Sequence, residues 1–477
     1  MSVDSVLAWL DQHEKDSIGR LFDWLRIPSV STDPKYAGDC RKAAEWCAGK
    51  LREAGLDAVL RETGTKEKAG HPIVLAHCPG AKGYQGPHVL FYGHYDVQPA
   101  DPVELWESPP FEPVIKPAVQ GGPGERVVAR GANDDKGQVS MFLEALLAWK
   151  HAHGEAPVKM TVLIEGEEES GSVNLYRFLD ENKGELGKAD VCVISDTGMP
   201  AADRPAITYG VRGLSYFEVT LHGPDQDLHS GLWGGRAPNP NNELAKVLAQ
   251  LWDEKRRVQV PGFYDDVREP SKEERAAWAK LGLDAGPALA KIGLKPEADI
   301  GEAGWTSVER EWARPTADVN GIWGGYIGAG AKTVIPAKAS AKVSFRLVAD
   351  QDPKKVSAGF RKFLEERTPP GCRWEITDLS GGAPATVATD SAHLLAARRA
   401  LKAAAGVEPV LIKSGGSIPV VGSLKSKLGM DTILMGFGLE DDRVHSPNEK
   451  FELACWRMGS RAHARLIDEF SRMTSAK

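Results

Sequence analysis

Residues 88–99 read HVLFYGHYDVQP, an apolar run followed by histidine and aspartate. The run HVLFYG, from His88 to Gly93, is typical of a buried β-strand. His94 and Asp96 follow it two residues apart, so on an extended strand end both side chains point the same way. The carboxyl ends of strands in a parallel sheet are where ligands bind. The stretch therefore predicts a polar site at the end of a strand in such a sheet.

Four other stretches, GANDDKG, MTVLIEGEEE, VCVISDTG and RVHSPNE, also present acidic or histidine side chains. Judged singly, an H-x-D turn, a pair of aspartates or a run of glutamates is more often structural than functional. Together they favour a site, because four of the five stretches combine such groups with an apolar β-type run. The adjacent carboxylates Glu167–Glu169 also repel one another unless a cation compensates them. The candidate residues, a set that suits a two-zinc hydrolase, are His94, Asp96, Asp134, Glu168, Glu169, Asp196 and His445.

The pattern of elements predicts an α/β protein with a mostly parallel catalytic domain that an α+β domain interrupts. Strands alternate with helices through residue 208, which is typical of a parallel sheet. In YFEVTLHG and KASAKVSFRLVAD, apolar and polar residues alternate as in half-exposed antiparallel strands. We predict a discontinuous catalytic domain of residues 1–208 and 386–477, and an inserted lid or dimerisation domain of residues 209–385. Helices are predicted over Val3–Leu25, Leu143–Trp149, Glu243–Trp252, Ser391–Ala405 and Ala454–Met473.

Composition and charge narrow the class of protein. At 477 residues the chain is longer than a single core usually spans. Its 59 basic and 66 acidic residues give a formal net charge of −7, which argues against nucleic acid as a partner. The sequence has no apolar stretch of about 18 residues, and its start resembles an acidic amphipathic helix rather than a signal peptide. We therefore expect no membrane association and a cytoplasmic location, with the six cysteines reduced because they show no CxxC spacing.

The order of motifs HxD, DDKG, EESGS, SD and HS resembles the zinc aminoacylase and carboxypeptidase superfamily of metallopeptidases. The resemblance is closer to its carnosinase-type (cytosolic non-specific) dipeptidase branch, and it covers nearly the whole chain. Further matching stretches are YGVRGLSYFEVTL at 209–221, DLHSGLWGG at 227–235, GAKTVIPAK at 330–338, GGSIPV at 415–420 and HSPNEKF at 445–451.

The resemblance implies a role for each candidate residue of the predicted site. Asp134 is expected to bridge two zinc ions, and the peptide bond between Asp134 and Asp135 to be cis. Glu168 is expected to be the general base, and Asp96 to orient the imidazole of His94. The implied metal ligands are His94, Asp134 and Asp196 for one ion, and Asp134, Glu169 and His445 for the other.

Zinc chemistry agrees with these implied roles. A catalytic zinc site keeps one position open for water, and two neighbouring ions share that water and lower its pKa. The base that takes the proton must reach the water without being a ligand, and Glu168, adjacent to Glu169, fits that requirement. The expected cofactors are two Zn²⁺ ions per chain, with Mn²⁺ or Co²⁺ as substitutes.

The inserted domain carries its own candidates. The resemblance implies that His229 reaches into the active site of a partner subunit and stabilises the oxyanion, which predicts a homodimer through the inserted domain. Arg346 lies on a predicted strand, where its guanidinium is either a bidentate partner for a carboxylate or an ordinary exposed arginine. The remaining candidates for substrate binding are Thr333, Gly416 and Ser417, and the backbone amides of the GGSIPV loop are suited to holding an anion.

Three functions remain open from the sequence. The favoured one is hydrolysis of dipeptides or of C-terminal residues of short peptides. The second is hydrolysis of N-acyl amino acids or related amides. The resembled branch tends to carry a histidine where this chain has Ser380, before Gly381 and Gly382, and this replacement leaves the shape of the substrate open. The third, a metal- or peptide-binding protein without turnover, is disfavoured because a pure binding site has no use for the base Glu168. The Gly- and Pro-containing segment Asp253–Pro315 is predicted to be either a lid excursion or a surface insertion without function.

Overall fold

The computed structural model of the chain describes residues 1–119, 124–416 and 418–474, so the predicted Ser417 lies outside the described residues. The fold divides into two compact units. Unit 1 consists of Met1–Tyr209, Val387–Ile412 and Leu424–Lys477, and unit 2 consists of Gly210–Thr386 and Lys413–Ser423. The short segment Lys413–Ser423 groups with unit 2, whereas the sequence places it in the catalytic domain.

The helices and strands are numbered in chain order. The helices are α1 Val3–Gln12, α2 Glu14–Leu25, α3 Ala37–Glu53, α4 Lys136–His153, α5 Val173–Glu181, α6 Lys183–Leu186, α7 Ser230–Trp233, α8 Pro240–Ala249, α9 Lys272–Ala279, α10 Ala285–Lys291, α11 Ser307–Ala313, α12 Pro353–Glu365, α13 Ala392–Ala405, α14 Pro419–Leu428 and α15 Leu453–Ser471. The strands are β1 Asp57–Arg61, β2 Ile73–Cys78, β3 Val89–His94, β4 Val114–Pro117, β5 Glu125–Val128, β6 Met160–Glu165, β7 Val191–Ile194, β8 Ala206–Val211, β9 Gly213–His222, β10 Leu228–His229, β11 Thr316–Gly324, β12 Val334–Ile335, β13 Lys338–Leu347, β14 Arg373–Gly382, β15 Ala385–Thr386, β16 Val410–Ser414, β17 Asp431–Leu434 and β18 Lys450–Glu452.

The main sheet of unit 1 has its parallel strands in the middle. Its strand order is β1-β2-β6-β3-β7-β17-β8, with β16 also on β8. Strands β6, β3, β7 and β17 are parallel to their neighbours within that group, whereas β1, β2 and β8 pair antiparallel. Every residue of β3, β6 and β7 is buried, as expected for strands covered on both faces. The predicted α/β class with a mostly parallel sheet is confirmed.

Helix α4 lies in the core of unit 1 and begins two residues after the candidate residue Asp134, with Asp135 as its N-cap. It is buried continuously from Lys136 to Trp149, so it has no solvent-facing stripe over that length. The ammonium of Lys136 donates hydrogen bonds to the backbone carbonyls of Trp24 and Ile27, which satisfies its buried charge. The start of α4 is therefore fixed, and with it the loop that carries Asp134.

The helical prediction for Val3–Leu25 is confirmed, with one interruption at His13 that divides the segment into α1 and α2. The backbone of His13 has φ −113° and ψ 17°, outside the helical range. Its amide still caps α1 at the Trp9 carbonyl, and its ring stacks on Trp9 with centroids 4.5 Å apart. Among the described residues, no helix has the length and apolar character needed to cross a membrane.

Unit 2 is built on a four-stranded antiparallel sheet in the order β11-β13-β9-β14. Burial alternates along β9, the pattern of a sheet with one face in a core. Apolar residues of α8 and α12 form that core with the buried residues of β9 and β13. A separate two-stranded ladder pairs β10 with β12, so that His229 lies opposite Val334. Unit 2 is thus an α+β structure.

Candidate metal centre

Three adjacent strand ends of unit 1 position most of the predicted site. Strand β3 ends at His94, with Asp96 two residues beyond it. Its parallel neighbour β6 is followed by the turn that carries Glu168 and Glu169, and its other neighbour β7 is followed by Asp196. Parallel neighbours end at the same edge of a sheet. The five side chains, which come from three segments distant in sequence, therefore lie at one edge.

Asp134 and His445 complete this cluster from two loops. The Asp134–Asp135 peptide bond is cis, as the resemblance implies. One carboxylate oxygen of Asp134 lies 3.1 Å from Nε2 of His94, and the other lies 3.0 Å from Nε2 of His445. His445 Nε2 is also 3.2 Å from Glu169, and His94 Nε2 is 3.9 Å from Asp196. Two groups of possible ligands result, His94 with Asp134 and Asp196, and Asp134 with Glu169 and His445, which share Asp134.

Asp96 contacts both the ring of His94 and the turn that carries Glu168 and Glu169. Nδ1 of His94 lies 3.1 Å from the Asp96 carbonyl oxygen and 3.3 Å from its carboxylate. The same carboxylate accepts hydrogen bonds from the backbone amides of Glu168, at 3.3 Å, and Glu169, at 3.1 Å. Both His94 and Asp96 are fully buried. Asp96 therefore fixes the imidazole and the acidic turn with a single side chain.

The cluster fits a cation, as the environment of His94 shows. Both acceptors near Nδ1 are oxygens of Asp96, so in the neutral ring Nδ1 carries the proton and Nε2 is left with a lone pair. Nε2 is buried and makes no hydrogen bond to any described residue, although it lies beside two carboxylates. A buried lone pair among negative charges is unfavourable by itself and is stabilised when a metal ion is bound there.

The local charges perturb the pKa values of the site strongly. Burial, together with the neighbouring Glu169 carboxylate, raises the pKa of Glu168 to about 7, although His94 acts in the opposite direction. Burial and the Asp134 charge raise the pKa of Asp196. Hydrogen bonds to Asp134 and Glu169 raise the pKa of His445 to about 10. Such a concentration of perturbed groups is typical of functional sites.

Two residues in the quoted motifs have structural contacts that sequence reasoning missed. Of the three adjacent carboxylates, Glu167 is compensated by hydrogen bonds from the Asn174 side chain at 2.8 and 2.9 Å and from the His71 amide at 2.8 Å. Gln98, in GHYDVQP, donates a hydrogen bond of 2.8 Å to Glu169. The position of Gln98 two residues after Asp96 was the only available signal, since both side chains then face the same way.

The predicted residues of unit 2 form a second, more exposed group. His229 caps the short helix α7, and its Nδ1 accepts a hydrogen bond of 3.0 Å from the Gly231 amide. A Cβ on Gly231 would lie 2.9 Å from the His229 ring, so glycine permits this close approach. Because Nδ1 accepts, the proton of the neutral ring is on Nε2. The side chain of Thr333 is also exposed, and its carbonyl accepts from the amide of Ser230 at 3.0 Å.

Arg346 lies in unit 2 together with a second arginine. It is half-buried on β13, opposite Thr316 of β11 and Leu214 of β9. Burial lowers the pKa of Arg212, the carboxylate of Glu311 acts in the opposite direction, and the positive charge of Arg346 lowers the pKa further. Arg212 donates a hydrogen bond of 2.9 Å to the Gly415 carbonyl. The Gly416 amide, also exposed, donates to the hydroxyl of Ser414 at 3.1 Å.

Each of the two groups of possible ligands contains one imidazole and two carboxylates, and the two groups share Asp134. Glu168 belongs to neither group. This arrangement is typical of the dinuclear metallohydrolase class. The sequence profile of peptidase family M20/M25/M40 matches residues 90–469, and the chain belongs to this family. The predicted resemblance to metallopeptidases is confirmed, and the chain is a hydrolytic enzyme.

Relatives and solved structures match the chain over nearly its full length. It is 30% identical to the Cys-Gly metallodipeptidase of Saccharomyces cerevisiae, over 98% of each chain. It is 29% identical to the Beta-Ala-His dipeptidase of Homo sapiens, over 99% of this chain and 93% of that protein. The structure of an M20 family metallo-carboxypeptidase from Sulfolobus solfataricus is 32% identical, with a TM-score of 0.81 over 95% of this chain and 99% of the other.

Proposed function

We propose that this chain is a dipeptidase that hydrolyses short peptides with two zinc ions held at Asp134. One observation carries the proposal: the two oxygens of Asp134 face two different imidazoles, His94 at 3.1 Å and His445 at 3.0 Å. A bridging ligand must offer one oxygen to each ion, and each oxygen of Asp134 faces an imidazole, which is itself a zinc ligand. The peptidase family to which the chain belongs supports the same interpretation.

The proposed ligands divide into two sets. His94, Asp134 and Asp196 would hold one ion, and Asp134, Glu169 and His445 would hold the other. When bound, the pair of ions acts as a Lewis acid on the scissile carbonyl and acidifies the attacking water. Asp96 would hold the His94 ring so that its Nε2 can act as a ligand, and Gln98 would hold the Glu169 carboxylate in the same way.

Glu168 is the proposed general base. It is adjacent to Glu169 and belongs to neither ligand set, so its carboxylate stays available to take a proton from the attacking water. The Asp96 carboxylate fixes its backbone amide. After attack, Glu168 hands the same proton to the amine that leaves. The carboxylate thus serves first as base and then as acid.

The residues of unit 2 are proposed to recognise substrate. The neutral ring of His229 carries its proton on Nε2. In a homodimer, this N–H would donate a hydrogen bond to the oxyanion that forms on the substrate in the active site of the partner subunit. Arg346 binds the carboxylate of the substrate. Thr333, Gly416 and Ser417 complete the proposed substrate-binding set. The homodimer, the cytoplasmic location and the exclusion of nucleic-acid and membrane partners remain predictions from the sequence.

Dipeptides are the proposed substrates because the relatives matched over almost the whole chain are named as dipeptidases. The chain is also similar to a metallo-carboxypeptidase over nearly its full length, so trimming of C-terminal residues belongs to the same proposal. Peptides of both kinds end in a free carboxylate, for which Arg346 is suited. N-acyl amino acids share that carboxylate, so they are the alternative that an assay must separate.

A substrate panel on protein stripped of metal tests the proposal. Dipeptides, N-acyl amino acids and simple amides are assayed after addition of Zn²⁺, Mn²⁺ or Co²⁺. We expect no turnover without metal, and with metal the fastest turnover on dipeptides. Faster hydrolysis of N-acyl amino acids than of any dipeptide would contradict the proposed substrate, and full activity without metal would contradict the proposed mechanism.

A further inference from the structure

Glu449 is a fully buried carboxylate that contacts the backbone of the candidate ligand Asp134. It accepts four hydrogen bonds from one loop. One oxygen accepts from the Asn133 amide at 2.9 Å and the Asp134 amide at 3.0 Å, and the other accepts from the Gly131 amide at 2.9 Å and the Arg130 guanidinium at 2.8 Å. A single side chain therefore gathers the backbone of the loop that ends in the proposed bridging ligand.

The same residue also holds the second loop of the centre. The Glu449 carbonyl accepts from the Ala129 amide at 3.1 Å, directly before the pairing of β18 with β5. Glu449 lies four residues after His445, in a loop where Arg443, His445 and Asn448 all have positive φ of 55–64°. Non-glycine residues adopt that conformation only when their surroundings hold them in it. Glu449 anchors the end of this loop.

We infer that Glu449 is a positioning residue for the metal centre, which sets the distance between Asp134 and His445 by tying their two loops together. The inference rests on the proposed function, since it presumes that both residues bind metal. Carboxylates that accept several amide hydrogen bonds form strong, short-range contacts in a buried setting. The neighbouring pair Asn133 and Asp442, whose side chains are 2.5 Å apart, connects the same two loops.

The substitution Glu449→Gln tests this role because it changes the charge and one acceptor at nearly constant volume. In either orientation of the amide, its NH₂ group faces two N–H donors that the carboxylate had satisfied. We expect Zn²⁺ affinity, measured by competition with a coloured chelator, to fall about 10–100-fold. The absorption spectrum of the Co²⁺-loaded protein should change as well, because the ligand geometry changes. Glu449→Asp keeps the charge and should restore part of the affinity.

Glu144→Gln is the matched control. Glu144 is also a buried glutamate of unit 1, and it accepts hydrogen bonds from Ser17 and Arg20 without contact to the candidate ligands. Both substitutions should reduce thermal stability, but only the one at Glu449 should reduce Zn²⁺ affinity.

The outcomes separate the inference from the proposed function. If wild-type protein fails to bind Zn²⁺, the proposed function is wrong. If wild-type protein binds and Glu449→Gln binds equally well with an unchanged Co²⁺ spectrum, only the positioning role is overturned. Should Glu449→Gln fail to fold, Glu449→Asp decides, and wild-type affinity and spectrum in that variant would overturn the role.

Discussion

The candidate metal centre of unit 1 and the polar group of unit 2 are built in opposite ways. In unit 1, His94 and Asp96 are fully buried, and their contacts with the other candidate ligands come from several distant segments. In unit 2, His229 and Thr333 are exposed, and their described contacts are local or to one neighbouring strand. The first group is complete within its unit. The second presents hydrogen-bond donors outwards, as expected of groups that act on a ligand or a partner chain.

The largest effect should come from removing the shared ligand, because Asp134 faces both imidazoles of unit 1. In Asp134→Ala, we expect both ions to be lost and turnover to fall below detection. Metal content by mass spectrometry and a dipeptide assay measure this. Asp378→Ala, at an exposed ion pair with Arg361 in unit 2, is the control and should keep metal and activity. Retention of both ions in Asp134→Ala would show that it is not the bridge.

Removing the proposed base should separate chemistry from metal binding. Glu168→Gln is expected to lower kcat by about 10²–10⁴-fold, the usual contribution of a general base. Its metal content should stay at the wild-type value, because Glu168 belongs to neither ligand set. Glu167→Gln is the neighbouring control, since Glu167 is held by Asn174 and His71. A combined loss of metal and activity in Glu168→Gln would contradict its role as a free base.

The exposed histidine of unit 2 should matter less than the base. His229→Ala is expected to lower kcat by about 10²–10³-fold, the range for loss of one oxyanion donor. Metal content should not change, because His229 belongs to neither ligand set.

Mixing two inactive variants tests whether His229 acts across a dimer. When Glu168→Gln and His229→Ala chains exchange subunits, a mixed dimer has one site with both defects and one with both residues intact, so activity should return. A two-fold dimer provides this arrangement because each subunit offers the same surface. Absence of activity despite demonstrated exchange, or full activity of a monomer, would exclude the shared site.

The sequence could predict the site residues that follow apolar runs, but not those held by hydrogen bonds to distant segments. His94, Glu168 and Asp196 follow apolar runs, and strand ends in a parallel sheet meet at one edge, so local pattern was sufficient. Glu449 could not be assigned, because its partners lie 315–319 residues away and sequence shows the carboxylate but not the amides around it. Long-range hydrogen bonds of this kind leave no periodic signal.

The segment Asp253–Pro315 carries sequence signals for helix starts. Its composition predicts either a lid excursion or a surface insertion without function, and the structure shows that the segment contains α9, α10 and α11. Capping boxes start two of these helices, Ser271 with Glu274 and Thr306 with Glu309, and both fit the S/T-x-x-E pattern. The segment also has a buried centre, in which Arg314 lies 4.5 Å from the Trp305 ring and pairs with Glu302 at 2.7 Å.

The smallest effect is expected at Arg346, because it contributes to recognition rather than to bond cleavage. Hydrogen bonds to a charged group contribute about 1.5–3 kcal/mol, so Arg346→Ala should lower kcat/KM about 10–150-fold on a dipeptide. On the corresponding dipeptide amide, which lacks the carboxylate, the substitution should have little effect. Arg361→Ala, an arginine of unit 2 paired with Asp378, is the control and should leave both substrates unchanged. An equal loss on acid and amide would mean that Arg346 supports the β13 strand instead of binding the carboxylate.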